Sequence, residues 1–375
     1  MREGGGKNEY GQSIMKFNFA GFLLCAVLAG CSGTAPFGED ATDTEEEAEG
    51  GTDEGTPIAR EGVPPGTASP SPETRIFRKE PTSAQGGQAG DGLATNISYD
   101  GTSDTFTVEG LAFDGGNTYQ RGNAVSSLNN GAFAVYEAET QFPDSVNAQP
   151  INQFKHRAIY GISKNTDQEG NPQTQFAIVR TGAYVGYGFG GFVYQRDNSV
   201  DLPSSGQAVF NGSAAGLRDF DGQGDLEYST ANVQIAIDFE DFNSTTGARG
   251  DGVRGVFSNR RVYNIDGDDI TAQVVKRIND NNSAGLQSIP DARFVVGPGV
   301  LDENGDLVGE IDSRYVDNND VVQEYETGKY YALMSGDDPD EIVGVVVLEN
   351  SAEFENVTVR DTSGFIVYRD PAPSP

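Results

Sequence analysis

The chain has 375 residues, enough for two or three domains, but only 36% are hydrophobic and 49 are Gly, so part of it cannot pack into a core. A formal net charge of −32 with no basic run argues against nucleic acid as a partner, because such a surface repels phosphates. Trp is lacking, yet 21 Phe and 15 Tyr lie among short Gly-punctuated segments, which is the texture of a β-rich protein.

Residues 17–28 form an apolar run that is too short to span a bilayer, which takes about 20 residues. It has the length of the apolar core of a secretory signal. It ends in Leu28-Ala29-Gly30-Cys31, which resembles the lipobox of bacterial lipoproteins. Small residues there let a signal peptidase reach the backbone, and the cysteine thiol takes a diacylglycerol. The resemblance implies a signal peptide over residues 1–30 and palmitate-type lipidation at Cys31, which would hold the chain to a membrane. Glu3 and Glu9 do not suit a positive leader, whereas Lys16 stands directly before the apolar run, so Met15 is the expected true start. Ser32 is compatible with outer-membrane sorting. The second cysteine, Cys25, lies inside the signal, so the mature chain has no disulfide to staple it.

Residues 31–94 read as the lipidated cysteine followed by a disordered tether. Glu45-Glu46-Glu47, Pro64-Pro65 and Gly86-Gly87 fill it, and it has too few apolar residues to offset the entropy of ordering. From residue 95 the texture changes to short apolar runs between turn signals: 105–108, 132–136, 156–162, 175–180 and 184–194. A second set follows residue 204, with strands expected at 207–212, 232–239, 252–258, 293–296, 307–312, 330–334, 341–348 and 362–368. Many short strands with regular turns predict a sandwich or a barrel. Ile270, Val274, Val275 and Ile278 share one helical face, so residues 270–279 predict a short helix capped by Asp268 or Asp269 and packed over a barrel end. Residues 370–375 are a tail.

The second set resembles the β-barrel of the surface-lipoprotein family of transferrin-binding protein B and factor H-binding protein. Residues 206–212 (GQAVFNG) are similar to the family's first barrel strand, and NVQIAIDF at 232–239 before Gly255-Val256-Phe257 is similar to its paired strands. Gly328-Lys329-Tyr330-Tyr331 followed by Asp340-Glu341-Ile342-Val343-Gly344 resembles its closing hairpin. Ala332-Leu333 and Val345 depart from that pattern. The resemblance covers about residues 204–369. It implies an all-β fold, with an eight-stranded antiparallel barrel in the C-terminal part preceded by a β-rich handle over 95–203, and one short helix. It also implies that exposed loops do the binding on a scaffold barrel; it carries no particular partner with it.

Catalytic chemistry finds little support. The one histidine, His156, lies between Lys155 and Arg157 and reads as a surface strand residue. A serine nucleophile elbow is lacking. The 57 Asp and Glu single out no carboxylate pair for glycoside hydrolysis. Calcium is the stronger alternative, because Asp219, Asp221 and Asp225 alternate with Gly222 and Gly224 in a turning loop, as hard oxygen ligands require. Asp266 to Asp269 and Asp302 to Asp306 are shorter versions, and the same residues are also ordinary turn formers. Arg260 and Arg261, beside Tyr263, are the one basic and aromatic cluster. They suit an anionic or glycan partner, or pairing with neighbouring carboxylates.

Together these features describe a non-catalytic binding module, displayed as a lipoprotein at the bacterial outer membrane. Its expected partner is an extracellular protein or a small molecule, with no cofactor unless calcium binds. A calcium-stabilised adhesion protein and a polysaccharide-acting enzyme are the alternatives.

Overall fold

A computed structural model describes residues 63–109, 117–122, 128, 133–138, 141–144, 146–152, 156–182, 186–240, 252–297 and 299–370. Cys31, the signal and the first half of the expected tether lie outside these residues. Among these residues the architecture is all-β, a closed eight-stranded antiparallel barrel and a half-barrel sheet, with one α-helix.

The half-barrel, or handle, is built from β1 (Ile76–Lys79), β2 (Asn96–Asp100), β3 (Thr105–Glu109), β4 (Asn117–Arg121), β5 (Ala134–Ala138), β8 (Arg157–Ile162), β9 (Thr174–Arg180) and β10 (Gly190–Arg196). They lie in the order β1-β10-β9-β8-β5-β4-β3-β2. A separate small hairpin joins β6 (Gln141–Pro143) and β7 (Pro150–Asn152). Side chains alternate across a strand. In β9, Phe176 and Ile178 join one buried cluster, while Ala177 and Val179 join another with Phe106, Tyr119 and Tyr136. A sheet buried on both faces reads as a continuous apolar run, which is why the sequence shows little alternation there.

The barrel comprises β11 (Gln207–Phe220), β12 (Gln223–Asp238), β13 (Val253–Tyr263), β14 (Ala292–Phe294), β15 (Asp306–Val316), β16 (Val322–Ser335), β17 (Glu341–Phe354) and β18 (Val357–Arg369). β18 pairs back on β11 with Phe210 opposite Arg369 and Leu217 opposite Thr362, so the wall closes. All eight expected strands exist, but most run several residues longer than their apolar stretches. The helix α1 (Thr271–Asn282) also runs past its expected end, with Ile270 rather than an Asp at the N-cap position. Asp269 still accepts the Thr271 N–H at 2.9 Å. As expected, Val274, Val275 and Ile278 are the buried face of α1.

Two expectations are corrected. The tether does not extend to residue 94, because residues 63–94 belong to the fold. Ile76 is fully buried, β1 pairs with β10, and Arg78, Glu80 and Asp91 are buried too. Composition hid this, since the segment is held by strand pairing and ion pairs more than by apolar area. His156 is not a surface residue. It is buried, edge-on to Tyr119 at 6.3 Å between centroids.

Candidate functional site

Inward positions of the barrel begin as a hydrophobic core. Ala208, Phe210 and Ala214 on β11, Ile237, Ile235 and Val233 on β12, and Val367 and Phe365 on β18 form one cluster. The same parity then continues into charge: Arg218 on β11, Ser229 and Glu227 on β12, Ser363 and Asp361 on β18, all buried. Each charge there needs a partner, because an unpaired one would cost several kcal/mol, on the order of 3–5.

Arg218 binds Glu227 through Nη1 and Glu353 through Nη2. Arg277 of α1 closes the group from above, with Nη2 at 3.1 Å from both Glu227 Oε1 and Glu353 Oε2. Tyr325 donates to Glu353 at 2.8 Å. Across the lumen Arg260 forks onto Glu326 and also donates to the Pro290 carbonyl at 3.1 Å. Burial pushes the Glu326 carboxyl up, against the pull of Arg260. Ser229 and Ser363 both donate to Asp361 Oδ1, at 2.9 and 2.6 Å. A cavity of about 20 Å³ remains between Arg218, Ser229, Arg260 and Asp361, room for about one water molecule.

The wall opens beside this polar end. Asn259 takes a left-handed conformation, φ 49°, and the β12–β13 register slips there, so that Asn259 and Arg260 together face Ala231. Such a bulge re-aims side chains. Arg260 turns into the lumen while the exposed Arg261 pairs with Asp269 at 2.9 Å. The pairing of β13 with β14 covers only Val256 with Arg293 and Phe257 with Ala292; Pro290 follows, and a proline has no N–H to continue a ladder. The gap is a groove of about 450 Å³, floored by Val275, Ile289 and Arg260 and rimmed by Asn259, Arg261, Gln287 and Ser288. Its volume is in the range of small-molecule sites. The arginine cluster singled out in the sequence therefore pairs with carboxylates and lines this groove.

The aspartates expected for calcium are separated by role. Asp219 is fully buried on the outside of the barrel, with both oxygens held by Arg360 at 3.1 and 2.7 Å and Arg180 at 3.7 Å. Asp221 and Asp225 are exposed at the hairpin end between β11 and β12. Among the described residues no group of three or more His, Cys, Asp or Glu is placed to hold a metal ion. The shorter acidic turns show why their composition misleads. Asp302 Oδ1 accepts the N–H of Asn304 and of Asp306, and Asn264 Oδ1 accepts those of Asp266 and Asp268. Asp167 and Asp317 repeat the arrangement. These oxygens shape turns.

The handle is fixed to the barrel by residues that sequence reasoning missed. Phe176, Ile178, Phe192 and Tyr194 pack on Leu217, Val343, Val345 and Ile366. Around them Arg180, forked within the handle onto Glu80 at 2.6 and 2.9 Å, donates to Thr362 of the barrel at 3.0 Å, Arg360 reaches Asp91 at 2.7 Å, and Arg78 reaches Asp306 at 2.6 Å. Arg196 is fully buried and donates to the carbonyls of Asn304, Met334 and Ser71 at 2.6, 3.0 and 3.0 Å. For the lumen charges one signal was available: Arg218 continues the inward parity of Ala208, Phe210 and Ala214.

No family model and no curated protein sequence matches the chain. Among solved structures it is similar to a transferrin-binding protein B double mutant from Haemophilus parasuis, at 11% identity and TM-score 0.36, over 74% of this chain and 45% of that one. A single mutant of the same protein covers 73% of this chain and 65% of that one, at 9% identity and TM-score 0.31. A structure described as a surface lipoprotein matches at 11% identity and TM-score 0.27, over 55% of this chain and 79% of that one. This chain thus spans less than two thirds of the first two. At these scores the likeness carries no inference about what this chain binds.

Proposed function

We propose that this chain is a non-catalytic binding module, held to the bacterial outer membrane through a lipid on Cys31 and displayed on an acidic tether, for a protein or small-molecule ligand outside the cytoplasm. The observation that carries this reading is a barrel filled by its own side chains, whose wall opens sideways, among the described residues, at the groove beside α1. A filled barrel is a rigid support, so recognition falls to that groove and to the exposed loops. The lipobox supports the anchor.

The test uses the mature chain extracted from its native membrane. Mass spectrometry is expected to find an acylated N-terminal Cys31, and Cys31→Ser to release the chain. Ligand retained by the immobilised chain is expected to fall with Arg261→Glu and Gln287→Ala together. Reproducible turnover of a polysaccharide or ester overturns the non-catalytic reading.

A further inference from the structure

Glu341 opens β17 on the outer wall of the barrel, against the handle turn at residues 163–174. Its side chain is fully buried. Ser163 donates to Oε2, and Asn165 Nδ2 donates to the same oxygen at 2.9 Å and to Asp340 Oδ2 at 3.3 Å. Thr174, also fully buried, faces it from the start of β9. These handle neighbours are neutral, and among the described residues no cation pairs with Glu341.

The charged groups around the joint are otherwise engaged. The Lys164 ammonium lies over the Tyr368 ring, 3.9 Å from its centroid, and Tyr368 Oη accepts the Lys164 N–H at 3.0 Å. Arg369 is bound to Asp338. Asp340 adds a second carboxylate beside the first. Three buried acceptor oxygens on this joint lack a hydrogen-bond partner, Glu341 Oε1, Asp340 Oδ1 and Gln173 Oε1, and the Thr174 hydroxyl beside Glu341 can donate to only one of them. The joint has more acceptors than donors. An ionised carboxylate worsens that imbalance, whereas a carboxylic acid supplies one O–H donor.

We propose that Glu341 is a proton-operated fastener between handle and barrel. With a proton on Oε1 it holds the 163–174 turn against β17; when that proton is lost to solvent, the turn is released. Burial, with the charge of Asp340 adding to it, pushes the Glu341 carboxyl up to about 7, which places the step near neutral pH. Burial raises Asp340 as well.

The full mature chain tests this by amide hydrogen exchange at pH 5.5 and 8.5, corrected for intrinsic chemistry. If release exposes a carboxyl that titrates at 4.5 when free and at about 7 when fastened, opening of the 163–174 turn rises about 30-fold between those pH values. In Glu341→Gln that rise is expected to vanish while exchange in β11 and β12 stays unchanged. A similar rise in the variant overturns the proposal, and so does a wild-type turn that exchanges equally at both pH values. Carboxyl carbon NMR of the wild type gives a reading independent of how the variant folds. One glutamate is expected to titrate near neutrality, and a spectrum with every glutamate titrating below pH 5.5 overturns the proposal.

Discussion

The ring of Phe176, in the handle, lies directly against Gly364, in the barrel: a Cβ built at 364 would fall 2.2 Å from Cδ2 and Cε2 of that ring. Gly161 admits the same ring from the other side, where a Cβ would meet Cε1 at 2.3 Å. The handle seats on the barrel because one strand position on each lobe carries no side chain.

Gly364→Ala is therefore expected to push Phe176 out of its seat, at a cost of about 1–3 kcal/mol from overpacking. Thermal melting reads the loss. Hydrogen exchange is expected to locate it in β8, β9 and β10, with the inner faces of β11 and β12 still protected.

Asp219 and Arg360 share a buried two-pronged ion pair. Arg360→Ala is expected to destabilise the chain by about 3–5 kcal/mol, because it strands the charges of Asp219 and Asp91. Asp219→Ala should cost a similar amount, and the two together less than their sum, in a denaturant-based double-mutant cycle. Since Asp219 is already committed, millimolar calcium is expected to leave the melting midpoint unchanged. A midpoint that rises with calcium and falls back on Asp221→Ala with Asp225→Ala would restore the hairpin as a calcium site.

Glu341 gives stability a pH dependence of known sign. Its pKa in the fold, about 7, lies above the ordinary 4.5, so the fold keeps a proton that the unfolded chain releases. The contribution is full below about pH 4.5, declines between 4.5 and 7, and is lost above. Glu341→Gln is expected to be more stable than wild type at pH 8 by up to about 3 kcal/mol and to match it near pH 4.5. Urea unfolding at the two pH values measures the difference.

Asn259 holds φ 49° at the bulge that turns Arg260 inward. Asn259→Gly is expected to be neutral or slightly stabilising, whereas Asn259→Val should cost about 1–2 kcal/mol, because a branched side chain clashes in that conformation. If the groove is the ligand seat, the valine variant also weakens retention of bound ligand by more than its stability loss explains.

The sequence by itself determined the all-β class, the eight barrel strands and the apolar face of α1, because these follow from short-range alternation between a dry side and a wet side. Residues 232–239 were legible for that reason, and 341–348 as a continuous apolar run buried on both faces. The sequence also marked Arg260 and Arg261 as a cluster. What it could not give was the charged half of the lumen, where strand length is hidden because Arg218, Glu227, Glu353 and Asp361 look like surface residues until their partners are known. Those partners lie as far as 135 residues apart in the chain, and no local pattern encodes such a pairing. The same holds for residues 63–94, where Glu80 finds Arg180 only once the handle sheet has formed, and Arg78 and Asp91 find Asp306 and Arg360 only once the lobes meet. Tertiary structure alone decided which charges are buried, because burial of a charge is tolerable only where the fold delivers its counter-charge.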